Sequence, residues 1–592
     1  MGRKAVRRSF EKGGHVMKRL WGAAVAITLL VAITAGPTGA AGDGSGFALM
    51  RRLVDPSTVP MGTAGPTRAP KVRLQPEPAQ FPYGVAANDV TPTSVRLWTE
   101  TPLPKIFAVW GTDPSLGSGS SKAVVPVPSG HDGTIHLSVG NLSAATTYYY
   151  EFIDPATRTP SRLGTFQTAP DPNADVNLSF AFSGDQDGTI DQSTGQPCFN
   201  NFETFQAAQA MTPQFYINLG DTIYSDSRCL ATPNTTVDDY RGNYKQNMSY
   251  DALRNLMAST SFYAIWDDHE VRDNFNRQTV DPTLFQNGRQ AFIEYDNMNP
   301  PDPHLGFYRH FPWGQEAEIF VLDERSFRTE EADTIDSNND GTPDCRNATT
   351  GQPDLAPTLS QSWRDFFGQQ IPSSGLSDPV PPQCTTDLFA TGRTMLGAAQ
   401  RKQFEADLAA STAKFKLIIN EDQIEQYYAL PYDRWEGFQW ERDQVLRFVD
   451  THAISGVTWL TTDVHAFMAH TVDFYTPNPG DYGGVQGMED YSVGPVATDD
   501  FRREIINTIG SSSVADQIRA FLLNVNKNTC AELGGDGNPG APFYGYGMVQ
   551  IDAATHTLTI KPYDYTNFPI AGNGVQGAGR DYFCYDYTET VP

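Results

Sequence analysis

The chain has 592 residues, with 43 lysines and arginines against 69 aspartates and glutamates, a formal net charge of -26. So acidic a surface repels nucleic acid and anionic membranes at long range, which argues against a nucleic-acid scaffold; it does not exclude a small anionic substrate held by local metal charge. With 39% hydrophobic and 19% charged residues, and with 34 Phe, 25 Tyr and 9 Trp, the composition is that of large packed cores rather than of a disordered chain.

The basic residues gather at the start. Residues 1–41 hold seven Lys/Arg and one Glu, and an uncharged run of 16 from Leu20 to Ala35 precedes the small residues Gly39, Ala40 and Ala41. A basic region, a short apolar run and a small-residue cleavage site predict a secretory signal peptide, since 16 residues are few for a permanent span. Upstream, RRSFEK (Arg7 to Lys12) resembles a twin-arginine export signal, with Glu11 as a departure, so the general and the twin-arginine routes both stay open. Elsewhere no long apolar run exists, and no integral membrane association is expected. Residues 42–80, rich in Pro, Gly and Thr without periodicity, read as a linker.

The next stretch, residues 81–170, contains short alternating runs such as SVRLWTE, IFAVWG and TTYYYEF, punctuated by Gly, Pro, Asp and Ser. That pattern predicts an all-β sandwich, and Leu142, Thr146 and Tyr148 have the spacing of the tyrosine corner of fibronectin- and Ig-like domains. A packing or spacer role is expected for it. From residue 177 to 592 the texture changes: apolar strands such as LSFAFSG, QFYINLGD, FKLIINED and GVTWLTTDVH alternate with helical segments such as AAQRKQFEADLAAS, which predicts a layered α/β domain. Ligands in such folds collect at the carboxyl ends of the strands.

Six cysteines, Cys198, Cys229, Cys345, Cys384, Cys530 and Cys584, all follow the signal, and none forms a CxxC pair, which argues against a zinc ribbon. Three disulfides between sequence neighbours are expected: Cys198 with Cys229, Cys345 with Cys384, and Cys530 with Cys584.

Four strand ends carry the chemistry. They are SGDQDG with Asp185 and Asp187, LGDTIYSD with Asp221 and Tyr224, FYAIWDDHE with Asp267, Asp268, His269 and Glu270, and TTDVH with Asp463 and His465. A single Asp after a strand is commonly a turn residue or a helix cap. Four such ends with hard oxygen or imidazole donors predict a shared metal rim, because converging carboxylates need cations, and two metals about 3.5–4 Å apart are the usual answer.

The order Asp-x-Asp, Gly-Asp-x-x-Tyr, Asp-Asp-His-Glu, Asp-x-His resembles the calcineurin-like two-metal phosphoesterases and, within them, the PhoD-like alkaline phosphatases and phosphodiesterases. Residues 81–101, 307–328, 394–418 and 433–449 extend the resemblance along most of the chain. It implies a β-sandwich core flanked by helices and preceded by the small all-β domain. It also implies a secreted metal-dependent phosphoesterase using metal-activated hydroxide attack at phosphorus, either a phosphodiesterase with phospholipase D-like activity or an alkaline phosphomonoesterase. Substrates would be small phosphate esters, phospholipids or phosphodiester polymers.

Carried over residue by residue, Asp221 would bridge two metals, and Tyr224 would be a phenolate ligand of a ferric ion, completed by Asp185 and His465. Asp185 stands where the family has a cysteine ligand, and Asp187 is an alternative to it; TTDVH also lacks the Gly that usually precedes the Asp. Asp268 and Asp463 would hold a second metal whose all-oxygen shell favours Ca2+, Mg2+ or Mn2+ over Zn2+. Asp267 and Glu270 would orient that shell, and His269 would face the substrate as a phosphate-binding group or general acid. Arg325 reads either as a bidentate phosphate ligand or as a structural salt bridge, and Asn274 as a phosphate or metal contact or a loop stabiliser.

A second metal signal is DSNNDGTPDCRN, where Asp336, Asn338, Asp340 and Asp344 with Gly341 match the first part of an EF-hand-like Ca2+ loop. The bidentate Glu of such loops is missing: Asn347 occupies its place. The rival from another class is a non-catalytic secreted protein whose carboxylates hold structural calcium. His269 and Tyr224 separate the two, since structural calcium needs neither imidazole nor phenolate.

Overall fold

A computed structural model describes residues 77–479, 485, 487–509, 512–525, 530–532, 543–567 and 587–590. The expected signal peptide, the expected linker as far as residue 76, and Cys584 with its expected pairing lie outside them.

The alternating runs near the start form β1 (Val85–Asn88), β2 (Val95–Glu100), β3 (Lys105–Gly111), β4 (Ser121–Pro126), β5 (Thr134–Val139), β6 (Thr147–Ile153) and β7 (Gly164–Gln167). Their apolar faces meet in one core containing Leu97, Ile106, Tyr150, Phe152 and Phe166, as period-two burial requires. The tyrosine corner forms: the Ser143 backbone N–H donates to Tyr148 Oη at 3.0 Å.

The α/β part begins with β8 (Leu178–Ser183), a short hairpin of β9 (Ile190–Asp191) and β10 (Gln196–Pro197), β11 (Phe215–Leu219) and β12 (Ser261–Ile265). It continues with β13 (Arg309–Trp313), β14 (Ala317–Val321), β15 (Phe415–Ile419), β16 (Val457–Thr461), β17 (Phe467–Thr471) and β18 (Met488–Ser492). Last come β19 (Cys530–Glu532), β20 (Gly545–Asp552), β21 (Thr557–Asp564) and β22 (Tyr587–Thr590). A seven-stranded sheet runs β13-β14-β15-β16-β18-β17-β19, and a nine-stranded sheet runs β22-β21-β20-β8-β11-β12-β1-β2-β5.

The two large sheets pack face to face. Ile319, Val321, Phe415, Leu417 and Leu460 point inward to the same core as β8, β11 and β12, with Phe215 and Trp313 rings 4.6 Å apart across the interface. The alternate residues Phe320, Ile418 and Trp459 point outward, onto the helices Gly397–Ala410 and Gln439–Thr451 through Phe404, Leu408 and Val445. This is the helix-flanked β-sandwich core that the family resemblance implies, with the all-β region at its start.

The all-β region is not a separate spacer. Its strand β1 pairs in parallel with β12, Ala87 opposite Ser261 and Asn88 opposite Phe262, so one of its sheets continues the sheet of β8, β11 and β12. Polar bonds lock the seam: Trp98 Nε1 donates to the Glu294 carbonyl at 2.8 Å, and Tyr263 Oη to the Val90 carbonyl at 2.9 Å. Arg309 Nη2 donates to the Ala264 carbonyl at 2.7 Å while its Nε reaches Asp89 at 3.2 Å. Among the described residues no helix is long and apolar enough to cross a membrane.

Candidate metal centre

Strands β8, β11 and β12 are mutually parallel, as are β14, β15 and β16, so in each sheet the strands release their acidic ends at a common edge. Asp185 follows β8, Asp221 follows β11, Asp267 and Asp268 follow β12, Asp422 follows β15, and Asp463 and His465 follow β16. Four of these leave their strands in the left-handed region: φ is 61° at Asp185, 51° at Asp221, 63° at Asp463 and 52° at His465. A non-glycine residue held there costs on the order of 1–3 kcal/mol and persists where the surroundings over-determine it, as at functional sites. Gly220, just before Asp221, has φ 100° and no room for a side chain, because a Cβ there would lie 2.6 Å from Asp267 Cβ.

Three groups of donor atoms result, each within 4.8 Å: Asp185, Asp221 and His465; Asp221, Asp268 and His269; and Asp422, Asp433 and Asp463. Asp221 belongs to the first two. Tyr224 joins them, its hydroxyl 3.1 Å from His465 Nε2 and its ring stacked on His269 at 4.1 Å. Burial pushes the Asp221 carboxyl far up, against the pull of His269 and together with Asp268, Asp267 and Glu270. Burial and the Asp221 and Asp185 carboxylates likewise push the Tyr224 phenol up. A cation among these groups reverses both effects and makes the anionic forms favourable.

The donor set fits hard metal ions. Asp185 Oδ1, Asp268 Oδ1 and Asp422 Oδ1 are buried without a hydrogen-bond partner, aligned with carboxylate, phenol and imidazole groups. Orphaned buried carboxylate oxygens are costly unless something positive meets them.

A second layer holds the donors. Glu270 Oε1 accepts from the Thr222 backbone N–H at 2.5 Å and its hydroxyl at 2.7 Å, while Oε2 accepts from the Asp267 N–H at 2.9 Å, tying the β11 and β12 ends together. Arg325 is fully buried and does not reach the opening. Its Nε donates to Asp267 at 2.5 Å, and Nη1 and Nη2 donate to Asp433 at 3.1 and 3.3 Å. The guanidinium is thereby committed to carboxylates, which is the salt-bridge alternative and leaves no fork for a phosphate. Asn274 is also turned to the loop: its backbone N–H donates to Asp268 Oδ2, and its side-chain amide, oriented with the nitrogen toward Asp433, donates to both Asp433 oxygens at 3.0 Å.

The structure separates other predicted partners. Asp187 accepts from the Thr189 N–H at 2.9 Å and Ser227 Oγ at 2.5 Å, outside the three donor groups, whereas Asp185 is in the first of them. Asp463 lies with Asp422 and Asp433, not in the Asp268 group. The carboxylates of Asp336, Asp340 and Asp344 form no such group among the described residues. Asp336 accepts from the Asp340 and Gly341 N–H groups, Asn338 from Asp340, and Asp344 from Ser337, all as turn contacts. Disulfides join Cys198 to Cys229 and Cys345 to Cys384, as expected.

Three carboxylates outside the sequence-predicted set, Asp226, Asp422 and Asp433, also join the site. Asp226 Oδ1 sits 2.6 Å from His269 Nδ1, only two residues beyond Tyr224 in the same loop. Asp422 ends β15 in FKLIINED and obeys the same strand-end rule as the others. Asp433 lies in a loop, with no pattern to mark it.

The rim is a candidate metal centre, and similarity to known proteins places it in a metal-dependent phosphoesterase. The family model for PhoD-like phosphatase matches residues 192–534, more than half of the chain, and that for the PhoD-like phosphatase N-terminal domain matches residues 67–170. The chain therefore belongs to the PhoD-like phosphatase family. Alkaline phosphatase D of Bacillus subtilis (strain 168) is 25% identical over 465 residues, covering 68% of each chain. A solved structure of PhoD shares the fold with a TM-score of 0.61 over 86% of this chain and 95% of that one, at 20% identity.

Proposed function

We propose that the protein is an exported phosphoesterase that hydrolyses phosphate esters at two adjoining metal positions sharing Asp221. The carrying observation is that one buried carboxylate belongs to both the Asp185–His465 and the Asp268–His269 groups. Asp185, Asp221, Tyr224 and His465 would hold one ion; phenolate and carboxylate donors suit Fe3+ there. Asp221 and Asp268 would hold the second, with the Asp422, Asp433 and Asp463 carboxylates behind it; an oxygen shell suits Ca2+, Mn2+ or Mg2+. Bound ions supply Lewis-acid stabilisation of the phosphoryl oxygens and a nucleophile from water at neutral pH.

The chain's own part is positioning and proton handling. Asp226 accepts from His269 Nδ1–H and orients the ring, with Nε2 3.9 Å from Asp268 Oδ1. Tyr224 holds the imidazole plane from one side. His269 retains 19% side-chain exposure, whereas Asp185 and Asp221 are buried, so it is a donor placed to reach solvent and a phosphoryl or leaving-group oxygen. Buried carboxylates around it favour the charged imidazole over the neutral one, although burial opposes this. Export by the N-terminal segment agrees with two disulfides, which persist in oxidising compartments.

The test compares turnover of bis(p-nitrophenyl) phosphate and p-nitrophenyl phosphate, with added Ca2+ and Fe3+ and in a chelated parallel sample. Chelator-sensitive turnover supports the proposal. Preference for the diester points to phospholipids or polymeric diesters, and preference for the monoester to phosphate scavenging. Chelator-resistant turnover contradicts it.

A further inference from the structure

We propose that Glu504 is a positioning residue for the metal centre, acting through His465; the inference rests on the reading of Asp185, Asp221, Tyr224 and His465 as one metal position. His465 turns Nε2 toward the other donors, 3.1 Å from Tyr224 Oη and 3.7 Å from Asp185 Oδ1. Its other nitrogen, Nδ1, is buried and has no hydrogen bond of good geometry. The nearest carboxylate to it is Glu504, whose Oε1 lies 3.4 Å away. An imidazole that ligates a metal through one nitrogen almost always donates its other N–H to a carboxylate, carbonyl or water, which fixes the tautomer and raises ligand basicity. With Glu504 as acceptor the proton stays on Nδ1, and the Nε2 lone pair faces Asp185, Asp221 and Tyr224.

The backbone delivers Glu504 to this place. It sits in the first turn of the helix Phe501–Ile509, and the Phe501 N–H donates to the His465 carbonyl at 3.0 Å, so helix and ligand are tied directly. Asp500 Oδ1 accepts from the Arg503 N–H at 2.9 Å, capping the turn. Asp499 ion-pairs with Arg228, next to the Cys198–Cys229 disulfide, and accepts from Asn507 at 2.8 Å. The start of the helix is thus tied both to His465 and to the loop that follows Tyr224. Glu504 itself is 45% exposed, so a purely structural role predicts little effect of removing it.

The experiment uses the full exported chain loaded with Fe3+, and in parallel with Mn2+, then challenged with excess chelator. Glu504→Gln and Glu504→Ala should release metal roughly 10–100-fold faster than the unmodified protein. Glu504→Asp should restore part of the retention, and the melting temperature of the metal-free protein should not move. In the Fe3+ form the tyrosinate band should shift in Glu504→Gln, because a less basic imidazole changes the electron density at the ion. Metal uptake by the unmodified protein with unchanged release and band in both variants overturns the role of Glu504. Failure of the unmodified protein to take up either ion, or metal content in Asp221→Asn equal to it, overturns the underlying site and this role together.

Discussion

The Tyr224 hydroxyl lies 3.1 Å from His465 Nε2, across 241 residues of sequence. Neither group alone implies a metal, since a buried tyrosine and a buried histidine often form a simple hydrogen bond. Both also sit against Asp185 and Asp221, carboxylates that burial pushes up from their ordinary ionisation, with repulsion from Asp268, Asp267 and Glu270 added at Asp221. A neutral phenol can donate to a carboxylate, as Tyr295 does to Asp132 and Tyr308 to Asp407, so the case for a cation rests on Asp185, Asp221, Tyr224 and His465 meeting at one place.

Tyr224→Phe should keep the fold, because the ring still stacks on His269, and lose the metal of the Asp185–His465 group. With Fe3+ bound, the visible charge-transfer band of the unmodified protein should vanish. Metal analysis and an absorption spectrum check this; a band that survives assigns the phenolate elsewhere.

His269→Asn should lower kcat by about 10²–10⁴-fold, the usual worth of a positioned proton donor. Asp226→Asn, which keeps the shape but loses the charge that orients His269 Nδ1, should lower kcat by roughly 10–100-fold with metal content intact. Equal KM in both variants is expected. A fall confined to KM would make the pair a binding device instead.

The seam between β1 and β12 predicts that the all-β region supports the catalytic sheet. Trp98 is fully buried and bonds to the Glu294 carbonyl. Trp98→Ala should cost about 3–5 kcal/mol, read from chemical unfolding, and should reduce activity only in proportion to the unfolded fraction. A separately melting, unchanged catalytic transition would show the region to be a mere spacer.

The same seam predicts a pH dependence. His136 is held neutral: Nε2 lies 3.1 Å from the Glu294 carbonyl and Nδ1 3.2 Å from Arg96 Nη2, and burial, then Arg96, lowers its pKa to about 4. An unfolded histidine titrates near about 6.5, so between pH 6.5 and 4 the unfolded state binds the extra proton and stability falls with pH. His136→Gln keeps both bonding roles without titrating. Its melting temperature should change less than that of the unmodified protein between pH 7 and 5, and parallel slopes would contradict the assignment.

Much of the rim was legible because strand ends obey a local rule. An apolar run that stops in Asp at the carboxyl end of a parallel strand identified Asp185, Asp221, Asp268 and Asp463 without knowledge of the sheet order. Asp422 satisfied the same rule at the end of β15 but lacked a neighbouring His or Tyr to draw notice. What pattern could not supply was distance between loops. Asp463 reads as a partner of Asp268, and the loops add Asp422 and Asp433 beside it, a proximity that no strand-end pattern foretells. Arg325 looked like a phosphate ligand or a salt bridge, and only burial among Asp267 and Asp433 separates the two. The β1–β12 seam was invisible for a related reason: parallel pairing between strands so far apart in sequence leaves no periodicity in either.

The most direct measurement is metal content and phosphoesterase turnover of Asp221→Asn beside the unmodified chain, with circular dichroism as the check on folding. Asp221 is the carboxylate shared by two donor groups, so the account predicts a folded variant that loses both metal positions and all turnover. A folded Asp221→Asn protein that keeps its metals and full turnover would contradict the shared site.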